Sequence, residues 1–141
     1  MRAAVLLIGL VFAAPLAAAE REVAPGTGSL AQAVAGAAPG DVLRLVDGVY
    51  RGPVTIDRPL TISGSRGAVI DGGNEGSVIT LIAPDITLSG FTVTGSGHVN
   101  QDLDAGVKIE KGADRALVEG LLVTGNMHGI DVHGGRDARV L

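Results

Sequence analysis

From Val54 onward, branched apolar residues alternate with small polar ones in short runs, and each run closes on a turn residue. One phrase recurs as Leu60-Thr61-Ile62-Ser63-Gly64, Ile86-Thr87-Leu88-Ser89-Gly90 and Ala116-Leu117-Val118-Glu119-Gly120. A second follows each: Ala68-Val69-Ile70-Asp71-Gly72, Phe91-Thr92-Val93-Thr94-Gly95 and Leu121-Leu122-Val123-Thr124-Gly125. A third is Val54-Thr55-Ile56, Val78 to Ile82, Val107-Lys108-Ile109 and Ile130-Asp131-Val132. Alternation of period two marks strands with one buried face. The glycines closing the second phrase, at 72, 95 and 125, are 23 and 30 residues apart. The period is therefore about 23, with an insertion in one turn.

Hairpins need tight turns between complementary strands, and here each strand resembles the one a full period later. Like then stacks on like at the inter-strand spacing, which predicts an all-β, right-handed parallel β-helix with three short strands per coil. The inward positions are Val54, Ile56, Leu60, Ile62 and Ile70, then Ile79, Leu81, Ile86, Leu88, Phe91 and Val93. Val107, Ile109, Ala116, Val118, Leu121 and Val123 follow, and then Ile130, Val132, Ala138 and Val140. Upstream, Leu30, Ala33, Val34 and Ala37 have helical spacing, which predicts a capping helix near 29–37 with Ser29 at its N-cap and Pro39-Gly40 at its end. The expected organisation is a leader at 1–19, a cap with this helix and a first strand at 20–53, and coils at 54–141. No polar capping turn follows Leu141, so the chain reads as the N-terminal fragment of a longer solenoid.

The leader rests on Met1-Arg2, an apolar run to Ala14, Pro15 and Ala17-Ala18-Ala19, with cleavage expected after Ala19. The run is shorter than the ~20 residues of a membrane span. Cysteine is absent, which excludes disulfides, thiolate zinc sites and cysteine nucleophiles and suits an exported, periplasmic chain. The net charge of −4 argues against a nucleic-acid-binding face. Aromatics are 2%, too few for base- or sugar-stacking platforms. The 22 glycines are about twice the usual ~7% share, as many tight corners require.

The candidate chemistry lies late in the chain. His98 and His128 each follow a repeat glycine by three positions, so the spacing puts them at equivalent sites on successive coils. With Met127 and His133 they form a candidate metal site of His98, Met127, His128 and His133, and imidazole with thioether suits Cu(I). A bland reading stands beside it, with solvated loop histidines and Met127 filling a corner. Asp102, Asp104, Glu110 and Asp131, with Lys108 beside Asp131, are either calcium-type carboxylates of a polysaccharide-lyase groove or charge pairs on a wet face. Nucleophile-elbow and phosphate-loop patterns are absent, and no catalytic residue is assigned.

Several phrases in order resemble the NosD family: Asp57-Arg58-Pro59-Leu60-Thr61-Ile62, Ala83-Pro84-Asp85-Ile86-Thr87-Leu88, Asp104-Ala105-Gly106-Val107 and His128-Gly129-Ile130-Asp131-Val132-His133-Gly134. The resemblance implies an exported periplasmic β-helix protein that is not an enzyme. It implies work with the membrane and ATPase subunits of an ABC transporter, in maturation of the copper site of nitrous oxide reductase. A copper chaperone and the reductase are the other implied partners. The alternative expectation is a carbohydrate-active β-helix, a polysaccharide lyase or epimerase acting on acidic polysaccharide.

Overall fold

The computed structural model describes residues 4–5, 8–10 and 18–141. Most of the expected leader, including its cleavage-side residues up to 17, lies outside the described residues. The chain winds through strands β1 (Glu20–Val23) and β2 (Gly26–Thr27), helix α1 (Ser29–Ala35), then β3 (Val42–Leu45), β4 (Gly48–Arg51) and β5 (Val54–Ile56). The next coil holds β6 (Thr61–Gly64), β7 (Ala68–Asp71) and β8 (Ile79–Leu81). The following one holds β9 (Thr87–Ser89), β10 (Thr92–Thr94) and β11 (Ala105–Ile109). Then come β12 (Leu117–Glu119), β13 (Leu122–Val123), β14 (His128–Val132) and β15 (Arg139–Val140).

Three parallel sheets result, ordered β1-β3-β6-β9-β12-β15, β2-β4-β7-β10-β13 and β5-β8-β11-β14. Every strand pairs with those one coil away, so the fold is the expected right-handed parallel β-helix. The decisive register is Leu43 on Ile62, Ile62 on Leu88, and Leu88 on Val118. All four are at most 1% exposed and form one face of the apolar column. Coil length is not constant. Val42 pairs with Thr61 and Thr87 with Leu117, steps of 19 and 30 residues. The corners absorb the difference, because only the strands must match their neighbours.

The inward assignments hold through Val118, each buried, including Ile79 and Leu81 on either side of outward Thr80. Leu121, Val123, Ile130 and Ala138 are partly buried against that core, while Val132 and Val140 are 52% and 49% exposed. They lie on the last described rungs, which have a neighbour on one side only.

The solenoid begins before Val54. β1 and β2 already form the first rungs of two sheets. In Glu20-Arg21-Glu22-Val23 only Val23 is buried, so the apolar alternation that marks other strands is missing there. In that first coil α1 stands where later coils place β5, β8, β11 and β14. It packs on β5 with Leu30 and Val34 buried, and so covers an exposed sheet edge. Its N-cap is Gly28, at φ 71°, not Ser29, and the Ser29 hydroxyl donates to the Gly26 carbonyl at 3.0 Å. Glycine takes this left-handed position at little cost, and a serine there would be strained.

Leu88→Ala, at the centre of the column, is expected to cost ~2–5 kcal/mol in urea unfolding. Ile82→Ala, whose side chain is 45% exposed, should cost less than ~1 kcal/mol. Gly90, at φ +85°, has no room for a Cβ against the Gly64 carbonyl oxygen, whereas Gly120, at φ +61°, has nothing within 4 Å. Gly90→Ala should therefore cost at least ~2 kcal/mol, and Gly120→Ala only the ~1–2 kcal/mol of the left-handed backbone. Equal costs at the two glycines would contradict the close stacking at this corner.

Candidate functional site

The inserted residues form one excursion between β10 and β11. The chain leaves at His98, makes a short 3₁₀ turn at Asn100–Asp102, turns through Leu103 at φ 52° and returns at Asp104. Asp104 is 3% exposed, and its carboxylate accepts the Val99 N–H at 3.0 Å, which ties the two feet of the excursion together. The next coil makes the same passage without a detour. Asn126 accepts the Ser96 N–H at 3.0 Å, Met127 N–H donates to the Ser96 hydroxyl at 2.8 Å, and His128 N–H donates to the Asp104 carbonyl at 3.1 Å.

This register changes the histidine pairing. His128 stands on Ala105, not on His98. The glycine offset misleads because the insertion lies between the glycine and the next strand. His98 is exposed at the start of the excursion, and Met127 is 36% exposed at the corner below. His128 is partly buried, with its Nε2 enclosed and without a hydrogen-bond partner. His133 follows β14, and its Nε2 lies 2.9 Å from Asp131 Oδ2, a close approach rather than an aligned hydrogen bond. Of the four expected donors, then, none is seen paired with another, and His133 is engaged by Asp131. Among the described residues, no three His, Cys, Asp or Glu side chains come together in a way that could hold a metal ion.

The expected acidic cluster is divided by the fold. Asp104 is spent on closing the excursion, and Asp102 offers its backbone carbonyl to Lys108 Nζ at 3.0 Å. Lys108 Nζ is also 3.6 Å from Glu110. On the outer face of the third sheet, Thr55, Thr80, Lys108 and Asp131 follow one another in register. Lys108 stands beside Asp131, with Glu110 and His133 one step along on the same two strands. The close contacts run along each strand, Lys108 to Glu110 and His133 to Asp131, on a face that is only partly open to solvent.

One charged ladder carried no sequence signal. At the corner from third sheet to first, Asp85, Arg115 and Asp137 occupy equivalent positions with φ of 58°, 57° and 58°. Arg115 binds Asp85 in fork geometry at 2.7 and 3.0 Å. Beside it, Asp114 accepts the Arg136 N–H at 2.8 Å and its guanidinium at 3.3 Å. The hydrogen bond from Arg115 holds the Asp85 carboxyl below its ordinary range, and the Arg136 backbone N–H does the same for Asp114. At the N-terminal end Asp41 is lowered by the N–H groups of Ala38 and Ala19, and less by Arg21. Two surface hollows open in the N-terminal half, one lined by residues including Arg44, Asp47 and Ser65, the other by residues including Arg21, Ser29 and Gln32. Neither includes a histidine.

Fold and surface together define a right-handed parallel β-helix whose third sheet carries polar and charged outer rows. No protein-family model matches the chain. Two curated relatives do, both named "Probable ABC transporter binding protein NosD". The one from Pseudomonas aeruginosa is 36% identical over 97 residues, 69% of this chain and 23% of that protein. The one from Stutzerimonas stutzeri is 34% identical over 98 residues, 70% of this chain and 22% of that protein. The chain belongs to the NosD family, and it spans about a quarter of the length of the relatives it matches. Among solved structures it is similar to the PL6 family alginate lyase AlyGC, with a TM-score of 0.67 and 21% identity over 88% of this chain and 19% of that one. It is also similar to a pectin methylesterase in complex with hexasaccharide VII, with a TM-score of 0.62 and 23% identity over 79% of this chain and 44% of that one. At these identities the likeness is one of fold alone.

Two outcomes follow. In Cu(I) titration, His98→Ala/His128→Ala should leave affinity within about twofold of the parent, since His128 is registered on Ala105 and His98 lies outside the strand ladder; a loss of about tenfold or more would restore the four-donor site. For pH, the lowered carboxylates of Asp41, Asp85 and Asp114 contribute stability above their unfolded value of 3.8, and it is lost as pH falls through the depressed folded values. The thermal midpoint should therefore be nearly flat down to about pH 5 and fall below about pH 4, less steeply in Asp41→Asn. An unchanged slope in that variant would deny Asp41 its share.

Proposed function

We propose that the chain is part of an exported, periplasmic accessory protein that docks on an ABC transporter and supports maturation of the copper site of nitrous oxide reductase. What carries this reading is the 34–36% identity, over about 70% of the chain, to two NosD proteins whose names give transporter binding. The third sheet is a parallel ladder with polar and charged outer positions, which supports a docking role. The membrane and ATPase subunits of the transporter, a copper chaperone and the reductase are its partners in this reading. In this reading the chain contributes to copper loading through protein contacts. The fold-level likeness to a lyase and an esterase brings neither activity to this chain.

The test uses the full-length protein in a denitrifying host. Tagged protein is expected to co-purify with the transporter subunits, and its deletion should leave nitrous oxide reductase depleted of copper by elemental analysis. Normal copper loading in the deletion strain would remove the maturation role, and release of unsaturated sugars from alginate or pectin would favour the carbohydrate-active reading instead.

A further inference from the structure

Ala19 is the first of the described residues whose backbone is bonded into the folded coil. Its carbonyl accepts the Val42 N–H at 2.8 Å, and its N–H donates to Asp41 Oδ1 at 3.0 Å. Upstream, Val5, Ile8 and Leu10 are 82%, 78% and 73% exposed and add nothing to the core. Asp41 is an unusual carboxylate, with a side chain only 5% exposed in a chain whose other ion-paired carboxylates are more open. Its second oxygen takes the Ala38 N–H at 2.9 Å and the Arg21 guanidinium at 3.1 Å. Arg21 reaches on to the Gly36 carbonyl at 3.0 Å, where α1 ends. One buried carboxylate thus gathers the start of β1, the end of the helix and the start of β3.

The alanine run 17–19 puts a small residue directly before two bonds, after Ala18 and after Ala19, and only the second also has a small residue, Ala17, two positions further back. A cut after Ala19, which the small-x-small pattern favours, would carry away the acceptor of the Val42 N–H and one of the Asp41 donors. A cut one bond earlier keeps both. We propose that the leader is removed between Ala18 and Ala19, and that the new α-ammonium group of Ala19 forms an ion pair with Asp41 that locks the N-terminal end of the solenoid.

The inference rests on the export reading. Hydrolysis adds water across the Ala18–Ala19 bond: the hydroxyl goes to the Ala18 carbonyl carbon and a proton to the Ala19 nitrogen. The free amine, with an ordinary pKa of about 7.7–8.0, takes a second proton from solvent near neutral pH. A neutral amide donor becomes a cationic one at the same nitrogen, and such charge-assisted hydrogen bonds are roughly twice as strong as neutral ones. The carboxylate is thereby neutralised from both sides, by Arg21 and by the terminus.

Full-length preprotein is exported from a Gram-negative host, and the product is read by intact mass and N-terminal sequencing. A chain beginning at Ala19 is the expected result. A chain beginning at Glu20 would overturn the proposal and leave export standing, whereas a chain that keeps its leader would overturn export and the proposal together. On the Ala19 product, the α-amine should react with an acylating ester about tenfold more slowly than in Asp41→Asn, with Lys108 and Lys111 labelled alike in both. Equal α-amine rates would overturn the ion pair. If Asp41→Asn does not fold, the comparison is made between native parent and the same protein in urea, and equal rates there count against the pair in the same way.

Discussion

The structure depends on one constraint: each rung must hand its neighbour a complete row of backbone donors and acceptors together with an apolar outline that fits. In a parallel ladder the hydrogen bonds are evenly spaced, so the backbone alone specifies little about which rung lies where. Leu43, Ile62, Leu88 and Val118, in direct register, specify it through their side chains. A slip by one residue would turn Thr61, Ser63, Thr87 and Ser89 inward and push the branched residues into water. The column is therefore strict where strands meet and indifferent elsewhere, and steps of 19 and 30 residues can share one core.

The same constraint makes the first rung a problem, because among the described residues its outer edge has no strand partner. The chain meets it with a helix in place of a strand, with a buried carboxylate that binds helix, strand and turn, and with Tyr50. The Tyr50 ring is 1% exposed, and its hydroxyl lies 2.6 Å from the Val23 carbonyl and 2.7 Å from that of Val46. The phenol donates its proton to this pair, and burial pushes its pKa up. None of these devices repeats, because each answers the condition of an edge.

Repetition is what made the interior legible. Positions such as Ile70, Ile79 and Phe91 could be assigned inward from alternation and from comparison with later coils, and they are fully buried. What did not repeat could not be read. β1 carries charge on most of its length and one buried valine, so nothing in Glu20-Arg21-Glu22-Val23 marks a strand until β3 is beside it. Ser29 looked like a cap because serine usually is one, while the left-handed turn at Gly28 belongs to tertiary structure. His98 and His128 share an offset from a glycine but not a place in the ladder, because His98 stands at the near foot of the excursion while His128 opens β14 and is registered on Ala105 at the far foot. The Asp85–Arg115–Asp137 ladder was invisible for a further reason: one arginine between two aspartates has no local pattern, and only the stacking of corners brings them together.

A solenoid of this kind assigns no chemistry by its fold. The inward half of each strand is committed to packing, and the outward half is free to vary because a neighbour in the ladder makes few demands on it. That freedom explains how one architecture serves an alginate lyase, a pectin methylesterase and proteins named for binding a transporter. In this chain the outward rows of the third sheet run from threonine to a lysine–aspartate pair as they approach the inserted excursion. The excursion is tied at its feet by Asp104 and supported by Lys108. Departures from the average coil are where this chain differs in shape from a regular solenoid, while the repeated geometry of the column carries its stability. Function follows from the rows and loops that packing leaves unconstrained, and it has to be argued there, residue by residue.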